Sequence, residues 1–258
     1  MGSRDRDKVT VWISLSHIKK AVVGIALLGM LAGLAIYEIP TAKVWTYWSL
    51  PLAGQTIVLD AGHGGPDGGA VSKQGIIEKD INLAVALYLR DYLQQAGAIV
   101  VMTREEDRDL AGADTKGYKK RKTEDLKQRV RFIEEQEAKL FVSIHMNSVP
   151  SPRWRGAQTF YYLNNGNSAT LADLIQQELK RNLENTDRVA KQSDKPVYVL
   201  EALKIPAALV EVGFLSHPEE SGLLGDDRYQ RKVAASIYQG ILRYSSGEGS
   251  GKTADIDK

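Results

Sequence analysis

Three polar side chains each stand directly after an apolar run long enough for a buried strand: His63, His145 and Glu211. A strand end inside a core is a costly place for an unpaired imidazole or carboxylate. In open α/β sheets, loops that bind ligands converge outside the carboxyl ends of the strands. The pattern therefore predicts that these three side chains lie close together.

Glu78 completes the set, because it lies just before an amphipathic helical pattern that starts near Asp80. Its carboxylate can turn back towards the strand ends. Two imidazoles and one carboxylate are the ligand set of catalytic zinc, which leaves a fourth position for water. Zinc lowers the pKa of that water to about 7 and polarises a carbonyl. We therefore expect His63, Glu78 and His145 to hold Zn²⁺, and Glu211 to act as general base and then general acid.

Each of these residues, taken alone, also has a purely structural interpretation. His63 fits a turn, and Glu78 fits a helix start, where the dipole favours a carboxylate. Glu211 fits a buried ion-pair partner. Asp60 is either a turn former or a group that orients His63 from behind the metal ligands. The sequence alone leaves these alternatives open.

Apolar runs alternate with helical patterns along the chain. The predicted strands are 56–60, 99–103, 140–145, 158–163, 196–200 and 207–212. Helical faces are predicted at 81–93, 126–133, 171–179 and 229–241. Alternation of this kind predicts an α/β fold, as a single domain with a mostly parallel or mixed central sheet flanked by helices.

A run of 17 residues without charge, 21–37, lies between Lys19-Lys20 and Glu38. As a helix it spans about 25 Å, just short of a typical bilayer core. The run is long for a signal peptide, which favours an uncleaved signal anchor over a cleaved leader. Because basic residues precede it, we predict one N-terminal transmembrane helix, with the remainder of the chain outside the cytoplasm.

Composition limits the function classes. The 258 residues include 34 Lys+Arg, 32 Asp+Glu and no Cys, and residues 51–244 carry no net charge. A neutral body argues against nucleic acid as a partner. The lack of cysteine excludes disulfides and thiolate metal sites. The predicted organisation is a basic cytoplasmic stub (1–20), a signal anchor (21–37), a linker (38–54), a catalytic domain (55–244) and a flexible tail (245–258).

Four motifs, in this order, resemble one enzyme family: DAGHGGPDGGA at 60–70, GIIEKD at 75–80, SIHMNS at 143–148 and VEVGFLS at 210–216. The chain resembles the zinc-dependent N-acetylmuramoyl-L-alanine amidases of the autolysin type over roughly residues 55–244. The resemblance implies that His63, Glu78 and His145 are zinc ligands and that Glu211 is the catalytic glutamate. It also implies hydrolysis of the amide between N-acetylmuramic acid and L-alanine in peptidoglycan.

Within that family, the N-terminal anchor and the segment 115–126 resemble the membrane-anchored spore-cortex amidases of endospore-forming bacteria. This implies a role in cortex maturation at the forespore or mother-cell membrane, where a deacetylase completes muramic-δ-lactam formation. Two alternatives remain at this point. One is a zinc peptidase or carboxypeptidase that acts on wall peptides, and the other is a non-catalytic, membrane-tethered wall-binding protein.

Three further features have open roles. Asn147 either hydrogen-bonds to substrate or the metal ligands, or is a turn residue. His217 stands where relatives often have Asn, and we favour a polar loop over a pocket lining or competing ligand. The basic segment 116–122 is either a solvated face or a contact for an anionic wall polymer, stem-peptide carboxylates or an acidic activator protein.

Overall fold

The computed structural model describes residues 14–36, 50–163 and 167–249. The chain divides into two units, residues 1–49 and 50–258. In the first unit, helix α1 (Leu15–Ile36) contains a stretch, Leu15–Gly33, that is long and apolar enough to cross a membrane and is not buried. The helix begins six residues before the predicted anchor and includes Lys19 and Lys20. Residues 1–13 of the predicted stub and the predicted linker up to residue 49 lie outside the described residues.

The second unit alternates strands with helices. Its strands are β1 (Thr56–Ala61), β2 (Ile99–Met102), β3 (Leu140–Asn147), β4 (Gln158–Tyr161), β5 (Lys191–Gln192) and β6 (Ala207–Phe214). Its helices are α2 (Glu78–Gln95), α3 (Tyr118–Glu135), α4 (Asn167–Leu183), α5 (Tyr198–Ala202), α6 (Pro218–Leu224) and α7 (Asp227–Ser245).

The strands form one mixed sheet in the order β2-β1-β3-β6-β4-β5. All neighbouring pairs are parallel except β4 and β6, which are antiparallel. The central strands β1, β3 and β6 are covered on both faces, which explains why they appear as continuous apolar runs in the sequence. This confirms the predicted α/β fold. It also brings the carboxyl ends of these three parallel strands to one edge.

The two faces of the sheet are unequal. One face carries the larger core, built from apolar residues of α2, α4 and α7. Helices α4 and α7 approach so closely that a Cβ on Gly240 would lie 2.5 Å from the Cα of Ile175. The other face carries a smaller core, where Val130 and Ile133 of α3 and Leu200 of α5 pack on the sheet. The smaller face is the one that receives the candidate site.

Five predicted strands are confirmed within two residues at each end, and of these 158–163 is shortened to β4. The predicted strand 196–200 is wrong, because this region contains helix α5. Its buried residues Val199, Leu200 and Leu203 have helical rather than alternating spacing. Two elements were missed: the exposed, two-residue β5 and the short helix α6.

The predicted polar loop around His217 is also wrong. His217 is the N-cap residue of α6, and its Nδ1 accepts a hydrogen bond from the backbone N–H of Glu220 at 3.2 Å. Pro218 follows at the first helical position, where a backbone N–H would have no partner within the helix, so its absence in proline costs no hydrogen bond. His217 therefore marks the start of a helix instead of lying within a loop.

Candidate metal centre

His63 lies in a tight turn after β1. Its φ of 63° is in the left-handed region, which residues with side chains rarely adopt. Two buried arginines hold the turn by its carbonyls. Arg104 donates from Nε to Ala61 O at 2.8 Å and from Nη2 to Gly62 O at 3.1 Å, and Arg129 donates from Nη2 to His63 O at 2.6 Å. The side chains of Arg104 and Arg129 thus fix the backbone that carries this imidazole.

The His63 ring is held between two carboxylates. Its Nε2 lies 3.1 Å from Glu78 Oε1, and its Nδ1 lies 2.9 Å from Asp67 Oδ2. Asp67 is held in turn by two residues of α3, because Lys122 Nζ lies 2.9 Å from Oδ2 and Tyr118 donates its hydroxyl to Oδ1 at 2.9 Å. Asp67 therefore fixes which ring nitrogen of His63 faces Glu78.

Glu78 is the first residue of α2 and is 3% exposed. The backbone N–H of Ala70 donates to its Oε2 at 2.8 Å, and that of Met146 donates to its Oε1 at 3.0 Å. These bonds, together with the helix start, turn the carboxylate towards the strand ends, as the sequence predicts. Gly69 makes room for it, since a Cβ there would lie 2.5 Å from Glu78 Oε2.

His145 reaches the same carboxylate from a regular strand. Its Nδ1 lies 3.1 Å from Glu78 Oε1, and its ring meets that of His63 edge to face, with centroids 4.9 Å apart. The ring packs on Gly62, where a Cβ would lie 2.2 Å from His145 Nε2. A side chain at position 62 would therefore displace the imidazole.

His63, Glu78 and His145 form a group that can hold a metal ion, because one ligand atom from each lies within 4.8 Å of the others. Both imidazoles aim a nitrogen at one carboxylate oxygen. A further sign of fit is Glu211, whose Oε2 is buried and has no hydrogen-bond partner among the described residues. The two imidazoles and the carboxylate are a donor set suited to zinc.

Glu211 lies on β6 directly opposite His145 of β3. Burial raises the pKa of Glu211 to about 7. A carboxyl group with a pKa near neutrality can accept a proton and return it, as a general base and acid must. Glu211 therefore lies one strand from the candidate metal-ligand group, with a pKa suited to proton transfer.

Charge balance tunes the ligands. Burial by itself lowers the pKa of His63, but the carboxylates of Asp67 and Glu78 raise it to about 9. Burial raises the pKa of Glu78, but the imidazoles of His145 and His63 outweigh this and hold it well below its usual range. Glu78 is thus ionised, as a metal ligand requires.

Asp60 does not approach the site through the His63 ring. Its carboxylate accepts hydrogen bonds from Thr103 Oγ1 at 2.7 Å and Ser143 Oγ at 2.6 Å, and it forms a buried ion pair with Arg129. Because Arg129 also donates to His63 O, Asp60 supports the turn through Arg129.

Asn147 is the last residue of β3, beyond a shift in register that follows His145. Its carbonyl accepts a hydrogen bond from the backbone N–H of Leu215 at 2.9 Å. This places Asn147 at the edge of the sheet where the site lies. A contact with substrate stays a prediction.

Sequence reasoning missed three residues that shape the site: Asp67, Arg104 and Arg129. One signal was available, because Asp67 follows His63 by four residues within the same glycine-rich motif. The basic segment is also more than a solvated face. Two of its residues, Tyr118 and Lys122, contact Asp67.

A cavity of about 210 Å³ adjoins the group. His63 and His145 line one side, Leu126 of α3 lines another, and residues 196–200 close it. The segment predicted as a strand is therefore a wall of the site. Small polar groups of a substrate can approach the ligands from this cavity.

A family model described as N-acetylmuramoyl-L-alanine amidase matches residues 57–243. A germination-specific N-acetylmuramoyl-L-alanine amidase of Bacillus subtilis is 54% identical over 213 residues, which cover 83% of this chain and 89% of that protein.

Two solved structures of amidases are also similar to this chain. The CwlD amidase of Clostridioides difficile, in complex with the GerS lipoprotein, is 43% identical with a TM-score of 0.73, over 75% of this chain and all of that one. The catalytic domain of CwlV, an N-acetylmuramoyl-L-alanine amidase of Bacillus (Paenibacillus) polymyxa var. colistinus, is 34% identical with a TM-score of 0.63, over 74% of this chain and 98% of that one.

Proposed function

The chain belongs to the N-acetylmuramoyl-L-alanine amidase family and is an amidase of peptidoglycan, and we propose that it works through zinc held by His63, Glu78 and His145, with Glu211 as the proton carrier. The bond cleaved joins N-acetylmuramic acid to L-alanine. The family match favours this activity over the peptidase and the non-catalytic wall-binding alternatives.

The ligand assignment is supported by the convergence of the two imidazoles on Glu78 Oε1. Zinc, when bound, supplies a Lewis acid that acidifies water and polarises the amide carbonyl. Asp67 accepts the Nδ1 proton of His63, which leaves the Nε2 lone pair for the metal. Met146 N–H and Ala70 N–H hold the Glu78 carboxylate in place while the reaction proceeds.

The proton transfers fall to Glu211. Its carboxylate takes a proton from the attacking water and then delivers it to the nitrogen of the departing L-alanine. Burial supports this role, because a pKa of about 7 makes both the uptake and the release of a proton favourable near neutral pH. The observation that carries the proposal is this unpartnered carboxylate directly opposite a metal-ligand histidine.

We also propose the setting of the reaction. Helix α1 anchors the chain in a membrane, and residues 55–244 form the catalytic domain outside the cytoplasm. The similar B. subtilis protein is germination-specific, which supports action in spore cortex maturation at the forespore or mother-cell membrane. The similar C. difficile amidase is seen with a lipoprotein, which supports a protein partner for this chain.

The test is Glu211→Gln, which keeps the shape of the side chain and removes its basicity. We expect turnover of purified peptidoglycan to fall by roughly 10²–10⁴-fold with zinc content and unfolding midpoint unchanged. Glu134→Gln, an exposed change on α3, is the control and should act like the parent. His63→Ala should lower zinc content in elemental analysis. Parent-like hydrolysis by Glu211→Gln, or full zinc content in His63→Ala, would reject the assigned role.

A further inference from the structure

A basic surface hollow of about 660 Å³ lies near the carboxyl end of β3. The loop from β3 to β4, the end of α4 and the segment after α4 enclose it. Its cationic and aromatic lining consists of Arg153, Trp154, Arg155, Lys180 and Arg188. Two exposed carboxylates, Glu184 and Asp187, also line it, so positive charge is in excess.

Among the described residues, the cations of this basic hollow form no close ion pairs, although the charge of Arg155 acts on the Glu220 carboxylate. Within residues 50–163 and 167–249, none of its three arginines and its lysine forms an ion pair. Several arginines elsewhere on the surface do: Arg231 pairs with Asp227 at 3.0 Å and Arg90 with Glu105 at 2.6 Å. Arginine is suited to bidentate binding of carboxylates. Unpaired arginines around a concave surface therefore favour an anionic ligand.

Arg188 links the basic hollow to strands β4 and β6. Its Nη1 donates to Gln158 Oε1 at 3.1 Å, and its guanidinium lies over the rings of Trp154 and Phe214 at 5.7 and 5.1 Å. These contacts leave other N–H groups of the guanidinium for a ligand. Arg188 is thus a fixed cation rather than a mobile surface side chain.

Strand register gives the separation. Gln158 of β4 lies opposite Glu211 of β6, and Glu211 lies opposite His145 of β3. With about 4.8 Å between neighbouring strands, Gln158 is about 10 Å from His145 along this row. Gln158, which accepts the hydrogen bond from Arg188, therefore lies about three residues of extended peptide from His145.

We propose that the basic hollow binds the free carboxylates of the stem peptide, at the second and third residues beyond the cleaved bond. The inference rests on the proposed function, since it takes L-alanine to lie at the metal centre. The stem peptide carries carboxylates on residues beyond its first L-alanine. A wall peptide fits this hollow better than an acidic protein surface, because the cations line a concavity and one of them, Arg188, binds a residue two strands from His145.

The test uses the full chain with the double change Arg153→Gln and Arg155→Gln. The shortest side-chain hydrogen bond that the structure shows for either arginine joins Arg153 Nε to Ser151 Oγ at 3.5 Å. The substrates are an N-acetylmuramoyl tripeptide with free carboxylates and the same compound with those carboxylates amidated. We expect KM for the free acid to rise about 5- to 20-fold with kcat within about twofold, and KM for the amidated compound to stay at the parent value. Arg228→Gln, on an exposed arginine outside the basic hollow, is the matched control.

A second measurement does not depend on catalysis. Equilibrium binding of the free tripeptide to the full chain should weaken by a similar factor in the double variant, and added NaCl should weaken it in the parent. Equal KM values for both substrates in the parent, or unchanged tripeptide binding in the double variant, would overturn the inference. The inference would also be overturned if the double variant lost binding to an acidic protein but still bound the tripeptide as tightly as the parent. If the proposed function itself is wrong, the parent will cleave neither substrate. Tripeptide binding will then still show whether the basic hollow binds stem-peptide carboxylates.

Discussion

The two histidines of the metal centre reach the same carboxylate oxygen at the same distance, 3.1 Å, by different means. His145 lies within β3, where its own pairing with Glu211 of β6 and the pairing of the preceding Ile144 with β1 hold its backbone. His63 lies in a left-handed turn beyond the end of β1, where buried arginines and Asp67 take over that task. One ligand is thus placed by the sheet, and the other by a network of buried charges.

This difference teaches where the site is vulnerable. A strand residue tolerates the replacement of one neighbouring side chain, since many backbone hydrogen bonds together hold the strand in place. A turn held by buried ions depends on every partner, because removing one leaves an uncompensated charge. The four experiments below separate the two kinds of support.

The largest effect is expected for Arg129→Met. Arg129 is 2% exposed and binds both Asp60 and the carbonyl of His63. Its loss leaves Asp60 as an unpaired buried charge, and we expect the free energy of unfolding in urea to fall by about 3–5 kcal/mol. Arg228→Met, on an arginine whose side chain is 91% exposed, should change it by less than about 0.5 kcal/mol. A loss below about 1 kcal/mol for Arg129→Met would contradict the charge-network account.

Gly62→Ala tests the His145 side. The new Cβ would lie 2.2–2.6 Å from three atoms of the imidazole. The ring must move away from Glu78, so zinc affinity should fall by roughly 100-fold or more, as measured by competition with a chelator. Gly222→Ala is the control, because a Cβ there meets nothing within 4 Å. It should keep zinc and stabilise α6 slightly. Parent-like zinc affinity in Gly62→Ala would show that His145 is not held by this contact.

Asp67→Asn tests the His63 ring alone. The change keeps the size of the side chain but removes the charge that faces Nδ1 at 2.9 Å. Zinc affinity should fall by about 10–100-fold, with little change in the unfolding midpoint. Asp194→Asn, which affects only an exposed pair with Lys191, should leave zinc affinity at the parent value. If both variants bind zinc alike, Asp67 does not orient the ligand.

The mildest perturbation is acid. Burial raises the pKa of Asp60, but Arg129 and the Ser143 hydroxyl together hold it well below its usual value. A carboxyl group with a depressed folded pKa stabilises the fold above its unfolded pKa of about 3.9, and this stability is lost as the pH falls below that value. Unfolding in urea at pH 6, 4 and 3 should show this loss in the parent and a smaller one in Asp60→Asn. Identical slopes in both proteins would exclude Asp60 as the source.

These contrasts also explain which parts of the molecule are visible in the sequence. β3 and β6 could be predicted from the apolar runs that lead to His145 and Glu211, although both strands continue beyond these residues, to Asn147 and Phe214. The strand before His63 was equally clear. The supports of His63 were not, because Arg104 binds the neighbouring Gly62 from 42 positions away and Arg129 binds His63 from 66 positions away in the chain. Charged residues in helical patterns usually indicate a solvated surface, and only the folded chain shows that these are buried.

The segment 196–200 failed for another reason. Its apolar run is too short to separate a strand from a helical turn by periodicity, and packing against the smaller core decides in favour of α5. The two residues of β5 carry no apolar signal at all. Local pattern therefore predicts the centre of the sheet better than its β4–β5 side.

That outermost strand has a consequence for how copies of the enzyme behave when crowded together. β5 offers only Lys191 and Gln192 as a template for further pairing, and the lysine adds charge at the rim. Short, charged borders discourage a second molecule from extending the ladder. The brevity of β5 should therefore help neighbouring molecules to remain separate and soluble instead of stacking edge to edge into aggregates.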